Sequence, residues 1–392
     1  MNTIPMLLAA ILSLAAPPAP VIERGADAIF ADGFEPEGLA PFRGTNIAGM
    51  EMNYAWFPQA SGPVGGTHYP VHDTRLIDYY ASKGMTAVRF FFSWEGMQSS
   101  LFATIPAPAG NYRAYFDNYK RIVDYATNVR GMQVVIEPWD ANASGGAGGA
   151  RYRGNVVGSV AVPTAAFADF WTQMATAFGD NPRVSYGLIN EPNDMSTMSW
   201  WTSAQAAIDA IRATGSTQRI YVPGNGYTAA STWTSNFYDT ASPQRSNAYG
   251  WLNANGPGQP ITDPADNLVV EVHTYLDVDQ GGGTTVITSV TAARQHLSVV
   301  VAEARARGYQ VYLGELGFYA GESIAAAAWA DFIAYFEANT DTLVGFTWWA
   351  GGAPGWWDDV AANGGGHFSI TPTNGATFTG DTVNMDMIEN DF

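Results

Sequence analysis

The apolar positions of this chain follow two alternating rhythms. Short runs of β-branched, aliphatic and aromatic residues are separated by longer stretches in which apolar side chains recur every three or four positions. The short runs read as strands, and the longer stretches as helices with one apolar stripe. Strands are predicted over Phe42–Ile47, Thr86–Phe92, Gln133–Glu137, Val184–Ile189, Arg219–Pro223, Leu268–His273, Gln310–Gly314 and Leu343–Trp348. Several are nearly continuous apolar runs, the pattern of strands covered on both faces. Helices are predicted over Asp73–Lys83, Asn111–Val129, Pro163–Phe178, Ser199–Thr214, Val286–Arg307 and Ser323–Ala338. In the second of these, Tyr115, Tyr119, Ile122, Val123 and Ala126 lie on one stripe. The stretch after the fifth strand is rich in loop formers, so its helix is short or absent. Strand–helix alternation carried through eight strands predicts an α/β fold, a single (β/α)8 TIM barrel over residues 41–392.

The first 40 residues stand apart from this rhythm. Ile4 to Ala16 is a short Leu/Ala-rich run, closed by Pro17 and Pro18 among small residues. It is too short to span a bilayer comfortably and reads as a cleaved export signal over residues 1–20, although Met1-Asn2-Thr3 carries no cation. Residues 21–40 read as an acidic, irregular leader. A secreted protein, extracellular or periplasmic, is expected, without membrane attachment after cleavage. No Ser/Thr/Pro-rich linker leads to a second domain, and a monomer is expected.

Composition narrows the chemistry. A formal net charge of −18 repels phosphate backbones, so nucleic acid is not an expected partner, whereas a neutral polymer meets no such penalty. With 13 Trp, 19 Tyr and 20 Phe, the chain holds more rings than a core requires, and a ring face can stack on the C–H face of a sugar. Cysteine is absent, which removes disulfides and thiolate metal sites. Five His without His-Glu-x-x-His spacing give no reason to expect a metal. The Gly-rich patches at Ser144–Ala150, Gly281–Gly283 and Gly364–Gly366 lack phosphate-loop spacing, so no cofactor is expected either. No Gly-x-Ser-x-Gly elbow supports a serine hydrolase.

A barrel enzyme holds its site at the C-terminal ends of its strands. Those ends carry Arg89, Glu137, Trp139, Asn190, Glu191, His273, Tyr275, Glu315 and Trp349. Glu191, in Gly187-Leu188-Ile189-Asn190-Glu191-Pro192-Asn193, follows a buried strand directly. A carboxyl there is costly unless neutral or paired, and a raised pKa suits the acid of glycosidic cleavage. Glu315, in Tyr312-Leu313-Gly314-Glu315-Leu316-Gly317, lies at another strand end, with Arg89 and Tyr275 available to keep it ionised. Of the neighbouring Trp348 and Trp349, one should pack outward and the other face the barrel mouth as a sugar platform.

These residues carry a resemblance. The segments Gly44-Thr45-Asn46-Ile47-Ala48-Gly49, Val88-Arg89-Phe90, Asn190-Glu191-Pro192, Val272-His273-Thr274-Tyr275-Leu276-Asp277, Leu313-Gly314-Glu315 and Trp349-Ala350-Gly351 occur in an order and spacing similar to family 5 glycoside hydrolases, in the branch of secreted endo-β-1,4-glucanases. The resemblance implies a retaining mechanism with Glu191 as acid/base and Glu315 as nucleophile. It implies that Arg89, Asn190, His273, Tyr275 and Trp349 bind sugar beside the cut, and a polysaccharide as the partner. Two positions depart from the pattern. Trp139-Asp140 stands where relatives carry His-Asn, and Asn193 where they tend to carry His. Trp139, at the same strand end, is taken as a further substrate contact. A cellulose-type β-1,4-glucan is the expected substrate. The departures leave mixed-linkage glucan, xyloglucan, mannan or xylan open, and a non-catalytic carbohydrate-binding barrel is the alternative of another class.

Overall fold

The computed structural model describes residues 41–51, 61–139, 149–355 and 366–392. The expected signal, the leader and Asp140 lie outside these residues. Eight parallel strands close into a barrel: β1 (Phe42–Ala48), β2 (Ala87–Phe92), β3 (Gln133–Pro138), β4 (Val184–Gly187), β5 (Ile220–Pro223), β6 (Leu268–Tyr275), β7 (Gln310–Gly317) and β8 (Leu343–Gly352). They run in chain order around the ring, and β1 pairs with β8 to close it. The predicted eight-stranded barrel is thus what the chain forms. A small antiparallel pair, Arg151–Tyr152 with Asn155–Val156, is added after β3.

Six long helices cover the barrel: α1 (Thr74–Ser82), α2 (Gly110–Asp124), α3 (Thr164–Phe178), α4 (Thr197–Ala213), α5 (Ala292–Arg307) and α6 (Ala325–Glu337). Their starts are set by local chemistry. The Asp73 carboxylate accepts from the Arg75 amide at 2.9 Å to cap α1, and Ser196 caps α4. The predicted stripe of α2 is buried as expected, although its last turn, Tyr125–Val129, widens into a π-helix. The Tyr119 hydroxyl reaches through the stripe to donate to the Phe90 carbonyl of β2 at 2.6 Å. Helix α5 starts at Ala292, six residues later than predicted from Val286. The Thr288 amide and hydroxyl turn back to the Leu276 carbonyl instead, which holds that β-branched stretch as a loop. After β5 only a short helix, Asn247–Trp251, forms.

Alternation along the strands separates two cores. Outward residues such as Val88, Phe90, Val134, Ile136, Val270 and Val272 pack under the helices in one large apolar layer. Inward residues Phe42, Ala87, Val135, Tyr221, Val269, Tyr312 and Val344 form a separate cluster at the floor of the barrel. Its rings meet at 4.6 Å (Tyr221–Tyr312) and 5.2 Å (Phe42–Tyr312). Two residues further along β2, β3 and β6, the same inward face presents Arg89, Glu137 and Glu271. The strands thus lift a charged layer directly above an apolar plug. Among the described residues, no helix is long and apolar enough to cross a membrane.

Candidate active site

Arg89 is fully buried at the centre of the charged layer. Its Nε donates to Glu137 Oε2 at 2.7 Å and its Nη2 to Glu137 Oε1 at 2.5 Å, a two-pronged fork. Nη1 donates to Asn46 Oδ1 at 3.0 Å and to Glu315 Oε1 at 2.9 Å. Nη2 also donates to Asn190 Oδ1 at 2.8 Å and lies 2.9 Å from Glu271 Oε1. Each of the guanidinium's five N–H groups has an acceptor in reach, so one side chain ties together five strands or strand ends. Room for the carboxyls is made by missing side chains. A Cβ on Gly187 would lie 2.1 Å from Glu137 Oε2, and one on Gly314 would lie 2.2 Å from Glu271 Oε1.

Glu315 projects from β7 with 3% of its side chain exposed. Its Oε1 is held by Arg89, and the Tyr275 hydroxyl donates to its Oε2 at 2.5 Å. Burial together with the Glu315 and Glu191 charges drives the Tyr275 phenol well above its ordinary range, so it stays a donor. Glu191 lies across from Glu315, and oxygen atoms of the two carboxyls come within 4.8 Å. Glu191 takes a left-handed backbone conformation, φ +45°. Such a conformation costs a non-glycine residue on the order of 1–3 kcal/mol. It is braced locally. Asn193 Nδ2 donates to the Glu191 carbonyl at 2.9 Å, and the Asn190 amide donates to Pro138 at 2.9 Å. Asn193, one of the two departures from the family pattern, is thereby a backbone strut.

His273 joins the two halves of the site. Its Nδ1 lies 2.7 Å from Glu191 Oε1 and 3.5 Å from Glu315 Oε2, and its Nε2 lies 3.2 Å from Glu271 Oε1. Burial opposes a charge on the ring. The Glu315 charge and the hydrogen bonds to Glu191 and Glu271 outweigh it and push His273 up to about 10. Glu191 is raised above the ordinary carboxyl range, first by burial and then by the Glu315 charge. Burial likewise pushes Glu137 up to about 8, with Glu271 adding to the rise and Arg89 opposing it. Glu137, Glu191, Glu271 and Glu315 thus share a buried volume with Arg89 and His273, and burial favours the protonated forms of Glu137 and Glu191.

Glu191, His273 and Glu315 are close enough to be read as a metal cluster. Their chemistry argues otherwise. Both Glu315 oxygens are engaged by Arg89 and Tyr275, and both His273 ring nitrogens are taken up by Glu191 and Glu271. The donor set suits proton transfer.

Three rings gather above this layer. Trp349 faces the mouth beside Phe91, with centroids 5.8 Å apart, and Trp139 at 5.4 Å, while Phe91 and Trp139 are 5.2 Å apart. Trp348 points the other way. It packs on Phe318 and Trp329, and its indole donates to the Phe368 carbonyl at 2.9 Å. The division expected from strand alternation therefore holds. Two buried donors at the mouth, Asn190 Nδ2 and Trp139 Nε1, have no acceptor among the described residues. All eight site residues predicted from sequence gather at one end of the barrel. Glu137, read from sequence as a strand-end residue but given no role, and two residues not singled out, Asn46 and Glu271, complete the charged layer. Glu271 carried a signal in Val270-Glu271-Val272-His273: an acid at an inward position of an otherwise apolar strand.

A linkage follows from the raised His273 pKa. Its folded-state value, about 10, lies above its ordinary 6.5. The stability it contributes is therefore fully present below pH 6.5 and is lost as pH rises through about 10. Urea unfolding across pH 6–10 is expected to show a decline that His273→Gln removes.

A closed parallel barrel with two facing carboxyls at its C-terminal mouth, one desolvated and one held by a cation, is the architecture of a two-carboxyl glycosidase. A family model described as cellulase (glycosyl hydrolase family 5) matches residues 39–352, and the chain belongs to that family. Among curated relatives, endo-β-1,4-glucanase A of Emericella nidulans is 32% identical over 345 residues, covering 87% of this chain and 90% of the relative. Among solved structures, the endo-β-1,4-glucanase Xac0029 of Xanthomonas axonopodis pv. citri superposes with a TM-score of 0.75 at 28% identity, covering 89% of this chain and 97% of that one. The endoglucanase Cel5A of Pseudomonas stutzeri, solved in complex with cellobiose, gives 0.67 at 28% identity, with 89% and 92% covered.

Proposed function

We propose that this protein is a secreted, retaining endo-β-1,4-glucanase, with Glu315 as nucleophile and Glu191 as acid/base. The observation that supports the mechanism is that one oxygen of each carboxyl lies within 4.8 Å of the other, which leaves little room for a water between them. Retaining glycosidases place theirs about 5–5.5 Å apart, whereas inverting ones need about 6.5–9.5 Å to admit a water between acid and sugar.

In the first step a Glu315 oxygen attacks the anomeric carbon while Glu191 gives its proton to the glycosidic oxygen, and the reducing-end chain leaves. In the second, Glu191, now a carboxylate, takes a proton from water. The water oxygen displaces Glu315 and restores the starting anomeric configuration. Arg89 and Tyr275 each hold one Glu315 oxygen and so orient the carboxyl for attack, and His273 steadies the changing charge on Glu191. Asn190 Nδ2, buried without an acceptor among the described residues, is a donor for a sugar hydroxyl beside the cut, and Trp349 offers a ring face. The glucan assignment rests on the relatives' names and on the ring-lined mouth. Export rests on the apolar run at residues 4–16. A second reading keeps the mechanism and changes the polymer. It is motivated by Trp139, which sets an indole N–H where the family pattern has a His.

Proton NMR of the first-formed products should show the β-anomer before mutarotation, and α-product would refute the mechanism. Reducing-sugar release over a polysaccharide panel should be greatest on β-1,4-glucan. Release from mannan or xylan with none from glucans would refute the substrate.

A further inference from the structure

Strand β7 carries an extra residue just where Glu315 emerges from it. Against β6, Val272 pairs with Leu313 but His273 pairs with Glu315, so Gly314 is skipped. Against β8, Leu313 pairs with Phe346 and Leu316 with Trp348, again one residue more on β7. A bulge of this kind bends its strand and re-aims the side chains beside it. Only glycine fits at the skipped position, since a Cβ there would meet Glu271 Oε1 and, at 2.9 Å, His273 Nε2. Strand β8 has a matching irregularity. Thr45 of β1 pairs with Trp348 and Ile47 with Gly351, so β8 takes three steps against two, around Trp349.

Bulges break the regular ladder, and at both of these the same side chain is bonded to the backbone. Asn46, inside β1 and fully buried, donates through Nδ2 to the Gly314 carbonyl and to the Trp348 carbonyl, each at 3.0 Å. Those are the carbonyls directly before Glu315 and Trp349. Asn46 Oδ1 accepts from Arg89 Nη1, the same nitrogen that holds Glu315 Oε1. Both N–H groups of the amide and its oxygen are thus spent on the nucleophile, its cation and the neighbouring bulge. The Thr347 hydroxyl gives the Gly314 carbonyl a second donor at 2.5 Å, and Tyr312 lies 2.5 Å behind that hydroxyl. Asn46 and Thr347 are each 0% exposed, so they work through Glu315 and not on the sugar.

We propose that Asn46, supported by Thr347, is the positioning residue of the nucleophile. It fixes the bulge that aims Glu315 and the guanidinium that orients its carboxyl, and so sets the line of attack on the anomeric carbon. The inference rests on Glu315 as nucleophile. A misplacement of about 1 Å far from the chemistry can cost on the order of 100-fold in rate, so the effect belongs to the chemical step and not to binding.

The test isolates the attack by Glu315. In 2,4-dinitrophenyl 2-deoxy-2-fluoro-β-cellobioside, dinitrophenolate leaves with its electron pair and needs no proton from Glu191. A Glu315 oxygen takes its place on the anomeric carbon, and the fluorine slows hydrolysis of the ester. Inactivation of the full chain then yields a binding constant and a rate constant for the attack. In Asn46→Ala the rate constant is expected to fall about 100-fold, with the binding constant within threefold of wild type. In Thr347→Val, which keeps the side-chain volume and removes the hydroxyl, it is expected to fall about tenfold. A folded Asn46→Ala protein whose rate constant falls less than tenfold, or whose loss lies in binding, would overturn the inference and leave the catalytic assignment standing. If Asn46→Ala does not fold, Thr347→Val decides, and a rate constant within threefold of wild type overturns it. Wild-type protein that is not labelled on Glu315 would overturn the nucleophile assignment, and the inference with it.

Discussion

Replacing Glu315 by Gln is expected to reduce kcat on β-glucan by three orders of magnitude or more, with little change in the folded structure. The amide keeps the shape of the carboxyl, but its single oxygen can accept from Arg89 or from Tyr275 and not from both. It cannot form the glycosyl ester, and loss of one member of a cooperating catalytic set costs on the order of 10³ or more in rate. The substitution has a second readout. The Glu315 charge is the first of the influences that raise His273, and after burial it is what raises Glu191. Both groups should titrate lower in the variant. The His273 ring, followed by NMR, should lose its proton below the wild-type value of about 10. An unchanged His273 titration, or a rate within tenfold of wild type, would contradict the assignment. Glu191→Gln should behave differently. Its loss in kcat/KM should be large on glucan, where the leaving oxygen needs a proton, and much smaller on β-cellobiosyl fluoride, where it does not, while kcat falls on both because the second step lacks its base.

Replacing Arg89 by Ala is expected to cost about 3–5 kcal/mol of stability, the range seen when one partner of a buried ion pair is removed. The mechanism is the layer the guanidinium holds together. Without it Glu137, Glu271 and Glu315 face one another in a volume nearly free of water, and Asn46 and Asn190 lose their donor. Arg89→Lys restores a charge but not the fork on Glu137, so it should recover part of the stability and little of the activity. Urea unfolding at neutral pH measures both. An Arg89→Ala midpoint equal to wild type would show that the layer is not what holds the mouth of the barrel.

How far the sequence reveals this arrangement depends on where the physics is local. Strands β2, β3, β5 and β8 announce themselves, because apolar runs covered on both faces have little other use. The predicted end of β4 at Ile189 is two residues late. There the chain leaves the sheet after Gly187, giving space to Glu137 and allowing the left-handed turn at Glu191. That turn answers to a tertiary demand, which no hydrophobic pattern records. Strands β6 and β7 run past their predicted ends to Tyr275 and Gly317, because polar residues that look like loop in sequence are paired inside the barrel mouth. Glu191, Glu315, Arg89, His273 and Tyr275 were legible because strand ends are where a barrel collects its chemistry. Glu271 and Asn46 were harder to see. Each lies inside a strand rather than at its end, and its partners are remote in sequence.

The aromatic plug beneath the charged layer bears on how protons move through a turnover. Phe42, Tyr221 and Tyr312 fill the floor, so among the described residues the acids above face solvent on the side of the mouth. A bound glucan lies across that opening. The protons on Glu137, Glu191 and His273 would then be fixed at the moment of binding and redistribute internally during the first step. Buffer regains access only when the leaving chain has gone. Catalysis would proceed with a set number of protons, chosen by the medium before the substrate arrives rather than while it reacts.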